Sequence, residues 1–259
     1  MFTPEEMVGL FGIGVLIFVL IFFIFILAAL LGFYLHVAGF TLVEVILLVV
    51  FPLFTYFAAL PVVGSAINGV TGGIFGAVFN TAKVFDVPIF QLGHIVIGVN
   101  AVGFFIPAMI TLNMLVYKRI PWKQFCLLAV IIAAVTYLYT FIQPGLGVVV
   151  FLFTIPPILA SGIAFMFRRM KGLGNLNTAL LAYAGATIGV LIGADLLNLH
   201  KLANHDWGKP TMVSVGGGSV LDAVFLAGVV ALFADFIFRS REENMLGRLV
   251  RVLREAWPG

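Results

Sequence analysis

Charge is scarce in this chain. Asp, Glu, Lys and Arg make up 10% of its 259 residues, where a soluble domain carries roughly a quarter. That shortage excludes an ordinary water-covered globular domain. There is one cysteine, Cys126, which rules out an intrachain disulfide and any cysteine-based metal cluster. The excess charge is only +3 and is spread over short loops, so there is no basic face for nucleic acid. No H-E-x-x-H run offers a metalloprotease site. No linker-like stretch divides the chain, and 1–259 reads as one domain.

What is abundant is apolar. Hydrophobic residues reach 63%, with 27 Phe, and the mean hydropathy is +1.20. Apolar runs of about 20 residues, separated by basic loops, predict an all-α, polytopic transmembrane helix bundle, multi-pass in the cell membrane. About seven spans fit, near 8–34, 40–60, 91–117, 125–142, 148–167, 176–199 and 219–238. The acidic MFTPEE start leads into an apolar run too long for a signal peptide, so a retained anchor is expected. Between spans two and three, 64–80 carries Gly69, Gly72, Gly73 and Gly76; it reads as a glycine-rich re-entrant segment.

Orientation follows from the basic residues. Lys118, Arg119 and Lys123 follow span three, Arg168, Arg169 and Lys171 follow span five, and five arginines follow span seven. The positive-inside rule then places the N-terminus outside and the C-terminus in the cytoplasm. In the tail, 244–259, Leu246, Leu249, Val250, Leu253 and Trp257 form one stripe flanked by Arg248, Arg251 and Arg254. This predicts an amphipathic helix on the inner leaflet.

The polar residues within the apolar runs are the candidates for function. Asp195 ends span six and Asp222 opens span seven, and an ionisable residue in a span is costly enough to suggest a site. Gly216, Gly217 and Gly218, just before Asp222, permit non-helical backbone. Asn68, Asn100 and Asn198 fall toward the same outer face and join the two acids as candidate ligand- or ion-binding residues. The plain alternative is that Asp195 reaches the interface, Asp222 caps its helix, and the amides only join helices.

Small-residue stripes at Gly185, Gly189 and Gly193, and at Ala223, Ala227 and Ala231, predict close contacts, most simply with each other. Asp195 points about 200° from the glycine stripe on an ideal helix. Asp235 is expected to pair with Arg239, and Glu44 to snorkel at the end of span two. His94 reads as interfacial. His200, His205 and Asp206 are too irregular to predict a metal site, and no cofactor is expected. Ser161, in LASGI, lacks the preceding glycine of a rhomboid-type nucleophile.

The phrases GSAIN, GVNAVGFFIPAMI, IQPGLGVVVFLFTIPP, GADLLNLHKL and SVGGGSVLDAVFLAG together resemble a family of bacterial and archaeal integral membrane proteins known only as a domain of unknown function. The resemblance covers roughly 64–234 and implies a fold rather than an activity. A weaker resemblance is to the GxGD intramembrane aspartyl proteases. It implies Asp195 and Asp222 as a catalytic pair sharing a proton to activate water. The acid here follows GGGSVL rather than G-x-G.

Three readings therefore stand. The first is a small transporter or ion-handling protein binding a proton or small cation at the paired aspartates. The second is an aspartyl protease. The third is a non-catalytic scaffold or complex subunit. The expected partners are the lipid bilayer, a proton or small cation, and another membrane protein or a second copy of the chain.

Overall fold

A computed structural model describes residues 24–50, 86–92, 95–143, 147–205, 211–216 and 223–243. The chain divides into two compact units, Met1–Phe54 and Thr55–Gly259. Residues 64–80, with Asn68, and the tail at 244–259 lie outside the described residues, as do His94, Asp206, Gly217, Gly218 and Asp222.

In the first unit, helix α1 (Ile24–Val37) is followed by α2 (Leu42–Val45), which continues as a π-helical turn, Ile46–Val50. Thr41 caps α2 through a reciprocal box. Its hydroxyl accepts from the Glu44 N–H, and Glu44 Oε2 accepts from the Thr41 N–H at 2.8 Å. Both groups are otherwise unpaired donors at a helix start. Glu44 is buried, so its role is this cap and not snorkelling.

The second unit is mostly helical: α3 (Ile106–Val116), α4 (Trp122–Leu138), α5 (Ile155–Arg168), α6 (Thr178–Val190), α7 (Leu199–Ala203) and α8 (Ala223–Glu243). Prolines set the starts. Pro121 precedes α4 in extended geometry, and α3 and α5 carry proline in their first turn, where no N–H is missed. Asn177 caps α6 by accepting from the Leu180 N–H.

The all-α expectation needs correction, because two small sheets accompany the helices. Strands β1 (Asp86–Leu92), β2 (Ile95–Asn100) and β5 (Thr211–Val215) form one; β3 (Thr140–Gln143) and β4 (Gly147–Val150) form the other. The front of the expected span at 91–117 is therefore strand, and helix occupies only its second part. The ends of the 125–142 and 148–167 runs are likewise β3 and β4. Ile95, Val96, Ile97 and Val99 are β-branched and favour extended backbone. β2 finds partners on both sides, β1 antiparallel and β5 parallel. Pro88 lies on β1, an edge strand, beside an irregularity where the register shifts, the position a residue without an N–H tolerates.

Side-chain contacts fix the helix directions. Gly185 meets Leu128, Gly189 meets Ile132, and Gly193 meets Ala133 and Thr136; α6 and α4 thus run parallel with backbones in close approach. Gly228 meets Tyr183 and Thr187, while Arg239 reaches Asn177 and Thr178, so α8 runs antiparallel to α6. Ser161 Oγ donates toward the Ala231 carbonyl at 2.6 Å, and Phe165 stacks on Phe238, so α5 runs with α8. The glycine stripe of α6 therefore packs on α4, and the Ala231 carbonyl of α8 is met by α5. The nearest neighbours of the glycine stripe are thus α4 residues and not the alanines of α8. Leu128, Ile132 and Thr136 supply the complementary ridge at four-residue spacing.

The expected Asp235–Arg239 pair is present, at 3.1 Å, with the aspartate fully buried. The same guanidinium donates to Thr178 Oγ1 at 2.8 Å and to Asn177 Oδ1 at 3.2 Å. It thereby ties the end of α8 to the start of α6. Removing one partner strands a buried charge, which costs far more than the pair contributes. Arg239→Ala is expected to destabilise the bundle by about 3–5 kcal/mol, and the double change Asp235→Leu/Arg239→Met to recover most of that loss. Thermal unfolding in detergent would check both.

Candidate functional site

The parallel pairing of β2 and β5 determines where the site forms. Their ladder runs from Ile95↔Thr211 to Val99↔Val215, so Asn100 and Gly216 leave the sheet side by side. Beyond Asn100 the chain forms a π-helical turn, Ala101–Phe105, and Asn100 Oδ1 accepts from the Gly103 N–H at 2.8 Å. Gly216 has φ +87, a conformation that glycine adopts without penalty. A Cβ there would lie 2.6 Å from the Phe104 nitrogen, and one on Gly103 would strike the Gly216 carbonyl. The two segments touch backbone to backbone.

Asp195 closes this junction from the other side. Its Oδ2 accepts from the Gly216 N–H at 2.6 Å in a buried setting. The acid sits in a π-helical segment, Leu191–Leu196, that continues α6. There the Leu197 N–H bonds the Ile192 carbonyl and the Asn198 N–H bonds the Asp195 carbonyl. The Gly193 and Ala194 carbonyls lose their usual helical donors. Asn198 supplies replacements, its Nδ2 donating to both at 3.0 Å. Two acceptors fix the orientation of that amide, so its oxygen points elsewhere. Asn198 is 1% exposed and its Oδ1 has no hydrogen-bond partner; neither has the buried Ser214 Oγ, two residues before Gly216. π-Helical insertions are rare and recur at functional sites.

Of the residues expected to form a site, Asp195, Asn100 and Gly216 are joined through these contacts, and Asn198 belongs to the same turn as Asp195. Asn68, Gly217, Gly218 and Asp222 lie outside the described residues. Gly103, Phe104 and Ser214 are additions. The Asn-x-x-Gly spacing of Asn100 and Gly103 is a local capping signal, whereas nothing in the sequence marks Ser214. Asp86 stands opposite Asn100 in the β1–β2 register, a placement that required knowing the strand pairing.

Two other candidates, His200 and Ser161, have local explanations. His200 is exposed, with Nδ1 3.0 Å from the Leu197 carbonyl. Ser161 Oγ is buried against two backbone carbonyls, an acceptor-facing setting for a core hydroxyl rather than a nucleophile. Among the described residues no three His, Cys, Asp or Glu side chains group to hold a metal ion.

The arrangement gives a sharp expectation for Gly216→Ala. Left-handed backbone costs about 1–2 kcal/mol for a residue with a Cβ, and overpacking adds about 1–3 kcal/mol. A loss of about 2–5 kcal/mol is expected from these two terms. Gly162, within α5, has nothing within 4 Å of an added Cβ, so Gly162→Ala should stabilise by about 0.5–1 kcal/mol. Thermal unfolding of the two variants side by side tests this opposition in sign.

No curated protein and no solved structure matches the chain. The model of the family described as Protein of unknown function (DUF1614) matches residues 76–234, a stretch that contains Asn100, Gly103, Asp195, Asn198 and Gly216. That match spans more than half of the 259 residues, and the chain belongs to this family.

Proposed function

We propose that the protein is a multi-pass membrane protein of the transporter or ion-handling class, with Asp195 as the ionisable centre that takes up a proton or small cation. The membrane part of this reading is supported by how apolar side chains are distributed. Met109, Leu112 and Val116 on α3, Leu127 and Val130 on α4, Met166 on α5 and Phe233 and Ile237 on α8 are all exposed. Thr111, Thr136, Thr178, Thr187 and Asp235 are buried. A water-soluble bundle would place these classes the other way round. Among the described residues, one helix, Thr178–Leu202, is long and apolar enough to cross a membrane by length and composition, with a mean hydropathy of 1.8 over its window.

The helix directions agree with several crossings. α4 starts, and α5 and α8 finish, at the end of the bundle that carries Lys118, Arg119, Arg168, Arg169 and Arg239. A basic end of this kind belongs in the cytoplasm, which puts Asp195 toward the outer face. Strands at membrane depth need their backbone groups paired within the protein; the ladders pair both sides of β2 and one side each of β1, β3, β4 and β5.

The observation that carries the reading is the buried Asp195 carboxylate, held by the Gly216 N–H in an interrupted helix. Interrupted helices with an ionisable group beside non-helical backbone are a recurring transporter arrangement. The two-aspartate protease reading depends on Asp222, which lies outside the described residues, and Asp195 alone carries the present one.

The test is flux through purified protein in liposomes under imposed proton and sodium gradients. Asp195→Asn preserves size but removes the charge change. It is expected to lower flux at least tenfold, about 1.4 kcal/mol in the rate-limiting barrier. Unchanged flux in a folded Asp195→Asn protein would refute the role of Asp195.

A further inference from the structure

We propose that Asp195, Asn198 and Ser214 are oxygen ligands of a monovalent alkali cation, with sodium as the test ion. The inference rests on Asp195 as the ionisable centre and names what it binds. Its independent support is a pair of neutral oxygens close in the chain to Asp195 and to its partner Gly216. Asn198 follows Asp195 by three residues, and its Oδ1 is buried with no hydrogen-bond partner while its Nδ2 makes two bonds. Ser214 lies on β5, two residues before Gly216, the residue whose N–H meets Asp195. Ser214 Oγ is likewise buried and without a hydrogen-bond partner.

A buried acceptor without a partner costs free energy comparable to a lost hydrogen bond. Two such atoms, one three residues after Asp195 and one two residues before its partner Gly216, would both be satisfied by a bound cation. The donor set selects the class of ion. It is oxygen only, which suits hard cations rather than transition metals. It offers one carboxylate with neutral amide and hydroxyl oxygens, whereas dedicated calcium sites draw on several carboxylates. Binding is reversible coordination, with no bond made or broken in the protein. Remaining positions around the ion fall to backbone carbonyls or water, as in other sites that replace an ion's hydration shell.

The experiment measures binding of radioactive sodium to the purified full-length protein in detergent, with choline as the reference cation and potassium and calcium as competitors. Proton-driven flux is measured in parallel in liposomes. Saturable sodium binding is expected, competed by potassium better than by calcium, and abolished in Asp195→Asn. Asn198→Leu and Ser214→Ala should each weaken it about tenfold or more, the scale of losing one good contact. Ser214→Ala removes a single oxygen and guards against a folding failure in Asn198→Leu.

Absence of sodium binding, or binding unaffected by Ser214→Ala and Asn198→Leu in folded protein, overturns the inference. Tighter competition by calcium than by potassium overturns it as well. If sodium does not bind while proton flux still depends on Asp195, the cation site fails and the ion-handling reading stands. If neither sodium nor proton depends on Asp195, both fail.

Discussion

The second unit is built around a helix enclosed on nearly every side. From Thr178 to Val190 all positions of α6 except Ile188 are buried, with α4, α5 and α8 packed around it. A helix in that position has no solvent-facing stripe on which to place awkward groups. It must be small where neighbours come close. Gly185, Gly189 and Gly193 meet this requirement against α4; on the α8 side the small residue, Gly228, belongs to the partner helix. Such close approach is how helices gain packing where burial from water does not drive them together.

The two ends of this helix handle their polar groups differently. At the start, Asn177 caps the first turn and also accepts from Arg239, so one amide oxygen serves the helix and the inter-helix tie. At the far end the regular ladder is given up: a π-helical segment shifts the bonding register, and Asn198 takes over the two released carbonyls. That substitution leaves the break without orphaned carbonyls at Gly193 and Ala194, but leaves the opposite atom of the same amide without a partner.

Much of this was legible in the residues and much was not. Helix character, the closeness implied by the glycine spacing, the Asp235–Arg239 pair and the prominence of Asp195 all follow from local rules: hydropathy, four-residue periodicity and the cost of charge in an apolar run. The strands are not legible because a short apolar run such as Ile95–Asn100 has no periodicity that separates strand from helix; its identity depends on β5, more than a hundred residues later. The partner of the glycine stripe was misassigned for a related reason. Spacing reveals a smooth face but not which ridge fills it, and α4 offers Leu128 and Ile132 where adjacency in sequence suggested α8. The junction of Gly103 with Gly216 joins both difficulties, since each glycine is intelligible only against the other.

The two aspartates buried among the described residues of this unit are held in different ways. Asp235 answers to Arg239 one turn away on its own helix, so that pairing survives any movement that keeps α8 helical. Asp195 answers to the N–H of Gly216, 21 residues away, after an intervening helix and strand. Its bond exists only while the π-helical end of α6 and the exit of β5 stay in register. Any ligand that draws on Asp195 and on the oxygens around it therefore acts on that register, and any shift of α6 past the sheet acts on the ligand. A ligand bound there and the register it draws on would be linked, and linkage of this kind runs equally in both directions.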